Sequence, residues 1–234
     1  MSAPYRVGIV IPAGGRGLRL GAGTPKQYLE ICGEPIVVRT LKTALSARHV
    51  LAVIIAAQPE EFEHLRELLD RFDCMDERIV FVEGGAERQE SVAKGLAHPA
   101  LDTAEVILIH DAVRPLASTD LFDRVAEAAR VHGAVIPAVA VTDTLKRVNA
   151  DGVIVETIDR STMRRAQTPQ GFSGELIRRV YSAATTDGTV ATDCASLCEH
   201  AGIAVHVIEG EERNIKVTTA FDLELASMLL CGRS

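Results

Sequence analysis

The chain has 234 residues, of which 47% are hydrophobic, and a formal net charge of -7 at pH 7. This length is sufficient for a buried core without a disulfide or metal. The acidic balance, the 4% aromatic content and the absence of tryptophan disfavour a broad nucleic-acid surface, which needs basic side chains and stacking rings. The sequence has no apolar run of about 18 residues, so we expect no membrane-spanning helix, and we expect no export signal before the first strand.

The cysteine count indicates a redox state. Five cysteines are an odd number and include no C-x-x-C pair, which is typical of reduced thiols in a cytoplasmic protein. Cys194 and Cys198 lie four residues apart in a predicted helix, but no second ligand pair has suitable spacing. We therefore expect ordinary helix-face cysteines and no structural zinc.

Apolar runs of strand length alternate with segments long enough for crossover helices. The first strand is predicted at 7–11, and the next helices are predicted after Pro35 and near Phe62, where apolar residues recur at helical spacing. This alternation predicts an α/β fold, a mostly parallel sheet flanked by helices, in one domain over 1–234. Further strands are predicted at 50–57, 79–82, 105–110, 133–141 and 203–208, and further helices at 174–186, 193–201 and 219–230.

A glycine-rich, basic loop follows the first predicted strand and extends from Pro12 to Gln27. It contains five glycines and no acidic residue, and glycine turns bring backbone N–H groups close to an anion. The loop is not a Walker loop, because Pro25 precedes the lysine, and it is not a dinucleotide fingerprint, because Leu20 replaces the third glycine. We therefore expect another kind of polyanion site. Its cationic side chains are Arg16, Arg19 and Lys26.

Two further segments follow predicted strands and are expected at the same sheet edge. Asp111 suits Mg²⁺, which takes one or two carboxylates together with phosphate oxygens; a helix cap or an ion pair with Arg114 is the structural alternative. The turn at Gly84 and Gly85 permits close approach to a planar base, and Ser91 offers a hydroxyl. A purely structural turn is an equal alternative.

Residues 142–162 interrupt the alternation of strands and helices. Two alternating runs flank Asp151-Gly152, a pair typical of a hairpin turn. The runs hold too few large apolar side chains to build a separate core. We therefore predict a hairpin arm that packs on a second copy of the chain in a homodimer.

Lys216 lies between apolar residues after the last predicted strand. A partly buried lysine needs an anion, although snorkelling at a domain edge is an alternative. Together with Arg19 and Lys26, it suits phosphoryl or nucleotidyl transfer, in which cations and metal stabilise the charge that develops at phosphorus.

An ordered series of short motifs runs through nearly the whole chain. They are Pro12-Ala13-Gly14-Gly15 through Pro25-Lys26-Gln27, Gly84-Gly85-Ala86-Glu87-Arg88 with Ser91, His110-Asp111-Ala112-Val113-Arg114-Pro115, Asp143-Thr144, Asp159-Arg160, Gln167-Thr168-Pro169-Gln170, Thr192-Asp193 and Asn214-Ile215-Lys216-Val217. The series resembles the 2-C-methyl-D-erythritol 4-phosphate cytidylyltransferase family. The resemblance implies a Rossmann-like nucleotidyltransferase fold, a homodimer through the arm, and transfer of CMP from CTP to methylerythritol phosphate with bound Mg²⁺ in isoprenoid biosynthesis.

The resemblance also implies roles for individual residues. The catalytic cations would be Arg19, Lys26 and Lys216, and Asp111 would hold Mg²⁺. The nucleotide would be contacted by Ala13, Gly14, Gly15, Gly85, Ser91, Asp111 and Ala112. The acceptor would be bound by Arg114, Thr168 and Thr192, and by Thr144 and Arg160 of the partner subunit. Two positions depart from the family pattern: Ala86 stands where relatives carry an acidic residue, and Gly14 stands where alanine is frequent.

Two other functions are weighed against this one. A ribitol-5-phosphate cytidylyltransferase shares the glycine-rich loop and the motifs around Asp111, Thr168 and Lys216, whereas Asp159-Arg160 followed by serine favours methylerythritol phosphate. A catalytically silent nucleotide-binding regulator would keep the same fold. Retention of the cations together with Asp111 argues against the regulator.

Overall fold

The computed structural model describes residues 5–15 and 24–232. Arg16 and Arg19, both predicted to bind phosphate, lie outside the described residues. The strands of the described part are β1 (Val7–Pro12), β2 (Glu30–Ile31), β3 (Glu34–Pro35), β4 (Val50–Ala57), β5 (Ile79–Glu83), β6 (Val106–Ile109), β7 (Ala134–Ala140), β8 (Leu145–Val148), β9 (Ile154–Ile158), β10 (Arg164–Ala166), β11 (Gln170–Ser173) and β12 (His206–Glu209). The helices are α1 (Ile36–Leu45), α2 (Phe62–Arg71), α3 (Arg88–Leu96), α4 (Thr119–His132), α5 (Gly174–Asp187), α6 (Cys194–His200) and α7 (Ala220–Cys231).

The main sheet has the strand order β10-β7-β11-β6-β1-β4-β5. Strand β12 is parallel to β7 and pairs with the edge of β7 opposite to β11. Strands β6, β1, β4 and β5 are parallel neighbours. Strand β11 is antiparallel to both β6 and β7. The predicted mostly parallel α/β sheet is confirmed, whereas the short strands β10 and β11 were not predicted.

The central strands are buried on both faces, which explains their nearly unbroken apolar sequence. Along β1, Ile9 packs into the core on one face of the sheet and Val10 into the core on the other. The first core also contains apolar residues of α1, α2 and α4, and the second contains those of α3, α5 and α6. Helices therefore cover both faces of the sheet. The extent of the domain, 1–234, stays a prediction.

Strands β8 and β9 form a separate antiparallel hairpin within 142–162. Its turn contains Gly152 at a φ of 79°, and the Asn149 side-chain oxygen accepts hydrogen bonds from two backbone N–H groups of the turn. Apolar side chains of the hairpin are more than half exposed; they are Val148, Val153, Ile154 and Val155. The hairpin thus exists in the structure, and its packing on a second copy stays a prediction.

The C-terminal helix α7 is joined covalently to the turn between β2 and β3. Cys32 in this turn forms a disulfide with Cys231 at the end of α7, with 6.0 Å between their Cα atoms. The expectation of five reduced thiols is therefore wrong, because only the fold brings together two cysteines 199 residues apart. The other cysteines, Cys74, Cys194 and Cys198, are free and buried.

Among the described residues, no helix combines the length and the apolar character that a membrane crossing requires.

Candidate functional site

Two adjoining cavities open at the carboxyl ends of the parallel strands. The larger, of about 610 Å³, lies between the segments that follow β1, β5 and β6. The smaller, of about 250 Å³, lies between the segment after β6, the approach to β11 and the start of α6. Arg88, Asp111 and Lys216 line both cavities. Chemistry that joins two ligands would therefore take place beside these three side chains.

The predicted site residues divide between the two cavities. The larger cavity is lined by Ala13, Gly14, Gly15, Lys26, Gly85, Ser91, Asp111, Ala112 and Lys216. The smaller cavity is lined by Arg114, Thr168 and Thr192, together with Asp111 and Lys216. Thr144 and Arg160 lie on the exposed hairpin segment and line neither cavity, and the Arg160 guanidinium donates to the carbonyl of Thr142. Arg19 lies outside the described residues.

Asp111 is a buried carboxylate surrounded by three cations. Its Oδ1 lies 3.1 Å from Arg88 Nε, and its Oδ2 lies 2.9 Å from Lys216 Nζ and 3.6 Å from Arg114 Nε. Burial alone would raise the pKa of Asp111, but Arg88 and Lys216 outweigh burial and hold this pKa well below its usual range. Three positive charges face one negative charge, so this part of the site favours a further anion.

A buried hydrogen-bond chain fixes the segment that carries Asp111. His110 Nε2 faces the Arg114 carbonyl at 3.4 Å, and because a carbonyl can only accept, Nε2 carries the proton. His110 Nδ1 therefore accepts from the Thr168 hydroxyl at 3.0 Å, and Thr168 Oγ1 accepts from the Asp111 N–H at 3.1 Å. Burial lowers the pKa of His110 to about 3, and both ring nitrogens have partners. His110 is therefore a neutral structural residue and not a general base.

Asn214 holds the segment that carries Lys216. The Asn214 side chain is fully buried, and its amide nitrogen donates to the backbone carbonyl of Thr168 at 2.8 Å. The backbone carbonyl of Asn214 accepts from Arg114 Nη1 at 2.7 Å. One residue beyond Lys216, the Val217 N–H donates to the Val113 carbonyl at 2.9 Å. These bonds fasten the lysine segment to both the Asp111 segment and the Thr168 segment.

Backbone N–H groups of the turn at Gly84 and Gly85 donate to side chains of α3, the helix that follows it. The Gly85 N–H donates to Ser91 Oγ at 3.0 Å, and the Ala86 N–H donates to Glu90 Oε2 at 2.8 Å. A Cβ atom added to Gly85 would overlap Glu90, so glycine is required here by the closure of the turn. In this structure Ser91 shapes the wall of the larger cavity.

Comparison with known proteins identifies the family. The family model described as IspD, 2-C-methyl-D-erythritol 4-phosphate cytidylyltransferase, matches residues 7–231. The chain belongs to this family of cytidylyltransferases. Named members include a protein of Acidobacterium capsulatum, 40% identical over 98% of this chain and 99% of the relative, and one of Parasynechococcus marenigrum, 43% identical over 96% and 98%.

Solved structures support the same assignment to the cytidylyltransferase family. The 4-diphosphocytidyl-2C-methyl-D-erythritol synthase of Anaerococcus prevotii superposes with a TM-score of 0.85 at 30% identity and covers 97% of both chains. The 2-C-methyl-D-erythritol 4-phosphate cytidylyltransferase of Thermus thermophilus gives a TM-score of 0.78 at 33% identity and covers 96% of this chain and 98% of that chain. These names do not favour the ribitol phosphate alternative.

Several residues that hold the site in place had no role predicted from the sequence. Gln27 is buried and donates to the Ala13 carbonyl at 2.8 Å, which ties the described end of the glycine-rich loop to the end of β1. His110 and Asn214 act as described above, and Arg88 contacts Asp111 directly. The only available signal was their place inside quoted motifs, because a sequence does not show which motif residues face one another.

Proposed function

We propose that the protein transfers CMP from CTP to 2-C-methyl-D-erythritol 4-phosphate in isoprenoid biosynthesis. The proposal rests on one observation above all: the described residues expected to bind nucleotide line one cavity, Arg114, Thr168 and Thr192 of the expected acceptor residues line the other, and the two cavities share Arg88, Asp111 and Lys216. Family membership supports the same reaction. CTP would occupy the larger cavity and the acceptor phosphate the smaller one.

The reaction needs no nucleophilic side chain. An oxygen of the acceptor phosphate attacks the α-phosphorus of CTP, a new P–O–P linkage forms, and the bond to the β-phosphate breaks and releases pyrophosphate. Lys26 and Lys216, with Arg19 by resemblance, would neutralise the charge that builds up on the transferring phosphoryl group and on the leaving group. The surplus of cations around Asp111 and the neutral state of His110 are consistent with this division of roles.

The donor set fits a magnesium ion held mainly by substrate. Mg²⁺ typically takes one or two carboxylates and completes its shell with phosphate oxygens and water. Asp111 is the buried carboxylate on the wall of the larger cavity, and the described residues contain no cluster of three His, Cys, Asp or Glu that could hold a metal alone. A bound magnesium ion would neutralise triphosphate charge, and Asp111 would anchor it.

We also propose a homodimer in which the arm completes the neighbouring active site. More than half of the surface of Ile154 and of Val155 is exposed in the single chain, and burial of such side chains against a second copy would stabilise the arm. Arg160 of the partner subunit and Thr144 of the partner subunit would then reach the acceptor. We infer that the enzyme has no nucleic-acid partner, because its net charge is -7 and it has few aromatic residues. We also infer a cytoplasmic enzyme with no membrane partner, although the disulfide between Cys32 and Cys231 removes the argument from reduced thiols.

Pyrophosphate release tests the proposed function. CTP, Mg²⁺ and enzyme are combined with methylerythritol phosphate, with ribitol 5-phosphate or with no acceptor. We expect release with methylerythritol phosphate only. Release with ribitol 5-phosphate at equal or higher kcat/KM would instead assign the ribitol activity, and CTP binding by calorimetry without turnover on either acceptor would assign the regulator.

A further inference from the structure

Arg88 lies where the two cavities meet, at the first residue of α3. Its side chain is 27% exposed, whereas that of Lys216 at the same junction is 42% exposed. The motif that contains Arg88 contributed to the family resemblance, but neither the sequence nor the resemblance gave this arginine a role.

The two oxygens of Asp111 have different kinds of partner. Oδ2 faces Lys216 and Arg114, at 2.9 and 3.6 Å. The proposed function assigns Lys216 to the transferring phosphoryl group, and the family resemblance assigns Arg114 to the acceptor. Substrate phosphates would compete with Oδ2 for both cations. Oδ1 accepts from Arg88 Nε at 3.1 Å, so this contact is the one that can persist throughout the reaction.

Arg88 is also anchored on its far side. Its Nη1 lies 3.5 Å from the sulfur of Cys194, and the hydroxyl of Tyr181 lies 3.1 Å from the same sulfur. Cys194 is completely buried and Tyr181 nearly so, on helices α6 and α5. The guanidinium is thus held between the Cys194 sulfur of α6 and the Asp111 carboxylate, in the rigid fork geometry of arginine.

We propose that Arg88 is a positioning residue: it fixes the Asp111 carboxylate through Oδ1 and leaves Oδ2 for the ligands of the transfer reaction. The proposal rests on the proposed function. Groups that bind metal and reacting phosphate must be held to within about 0.5 Å, and a partner behind a metal-binding carboxylate is the usual means of orienting it. Loss of the partner leaves a carboxylate that can rotate.

The test compares Arg88→Gln with Arg88→Lys, which keeps the charge, and with Arg78→Gln. Arg78 is a matched control, because it pairs with Asp76 at 2.7 Å, its side chain is 33% exposed, and it does not line either cavity.

We measure kcat, the KM for each substrate, the melting temperature, and Mn²⁺ binding in the presence of CTP by electron paramagnetic resonance. For Arg88→Gln we expect kcat and Mn²⁺ affinity each to fall by about 10-fold or more, with the acceptor KM nearly unchanged. Arg88→Lys should recover part of both, and Arg78→Gln should match the wild type.

Two results would overturn the inference. An acceptor KM raised about tenfold with unchanged Mn²⁺ binding would make Arg88 a direct phosphate ligand, and unchanged constants throughout would give it no role in positioning. The wild-type control separates this inference from the proposed function. Absence of wild-type turnover would count against the proposed function, whereas the Mn²⁺ comparison between variants does not depend on turnover.

Discussion

At the scale of single residues, the site consists of three cationic side chains around one carboxylate. Asp111 lies within ion-pair distance of Arg88, Arg114 and Lys216. In the proposed function, substrate phosphates would compete with Asp111 for two of these cations, Arg114 and Lys216. Lys216 is the most exposed of the three, with 42% of its side chain accessible, and therefore needs the least rearrangement to contact a substrate phosphate.

Replacement of Lys216 by alanine should affect the chemical step. We expect Lys216→Ala to lower kcat about 100-fold or more with a small change in the KM for CTP, if the ammonium acts chiefly on the transition state. Steady-state pyrophosphate release measures both constants. Lys42→Ala is the control, because Lys42 is 43% exposed, pairs with Glu34 at 2.7 Å and lies outside both cavities. A change confined to KM would contradict the assigned role.

The buried His110 gives the stability of the fold a pH dependence. Its folded pKa is lowered to about 3, so between about pH 6.5 and 3 the unfolded chain binds a proton that the folded chain does not, and stability falls as the pH falls. Denaturant unfolding should show an extra loss of about 2 kcal/mol between about pH 7 and pH 5, and His110→Gln should lack this contribution. Repacking around glutamine changes stability at all pH values, so the comparison uses only the slope of the unfolding free energy against pH. Equal slopes would show that His110 does not cause the effect.

At the scale of elements, a disulfide fastens α7 to the body. The helix covers a small core of Ile31, Ile36, Val217 and Ala226, while 71% of Phe221 and 74% of Met228 are exposed. Ala226 is the only residue of α7 that is fully buried, so the covalent bond between Cys32 and Cys231 adds to an attachment made by few buried side chains.

Reduction should therefore destabilise the protein. We expect a loss of about 2–4 kcal/mol in unfolding free energy, measured by denaturant unfolding with and without reductant. Cys231→Ser should show the same loss, and reductant should have no further effect on this variant. Thiol titration of the denatured protein should find three thiols before reduction and five after it. Five thiols without reductant would show that the bond is not formed in solution.

At the scale of the whole molecule, the single chain lacks part of the proposed acceptor site. Thr144 and Arg160 are exposed and line neither cavity, although both are expected to bind the acceptor. Exchange of arms between two copies would bring these residues to the neighbouring site and cover the exposed apolar side chains of β9 at the same time.

Hybrid dimers test this sharing. Arg160→Ala alone should raise the acceptor KM by about one to two orders of magnitude, because charge-assisted bonds to phosphate contribute about 1.5–3 kcal/mol. In a hybrid of one Arg160→Ala subunit and one Lys216→Ala subunit, one site carries both changes and the other carries neither. Co-purified hybrids should therefore regain wild-type KM with about half the wild-type kcat per dimer. Hybrids no better than the two parents, or a monomer by light scattering, would exclude a shared site.

The sequence alone determined the α/β class, most strand and helix positions, the family resemblance and most of the cavity-lining residues. It could do so because buried strands, helical spacing and glycine-rich turns are local patterns. The tertiary structure decided which residues face one another: the Arg88–Asp111 pair, the chain from Asp111 through Thr168 to His110, and the Cys32–Cys231 bond. The tertiary structure also places β11 between β6 and β7, antiparallel to both strands. These features depend on contacts between residues far apart in the chain, and such contacts leave no periodic signal in a single sequence.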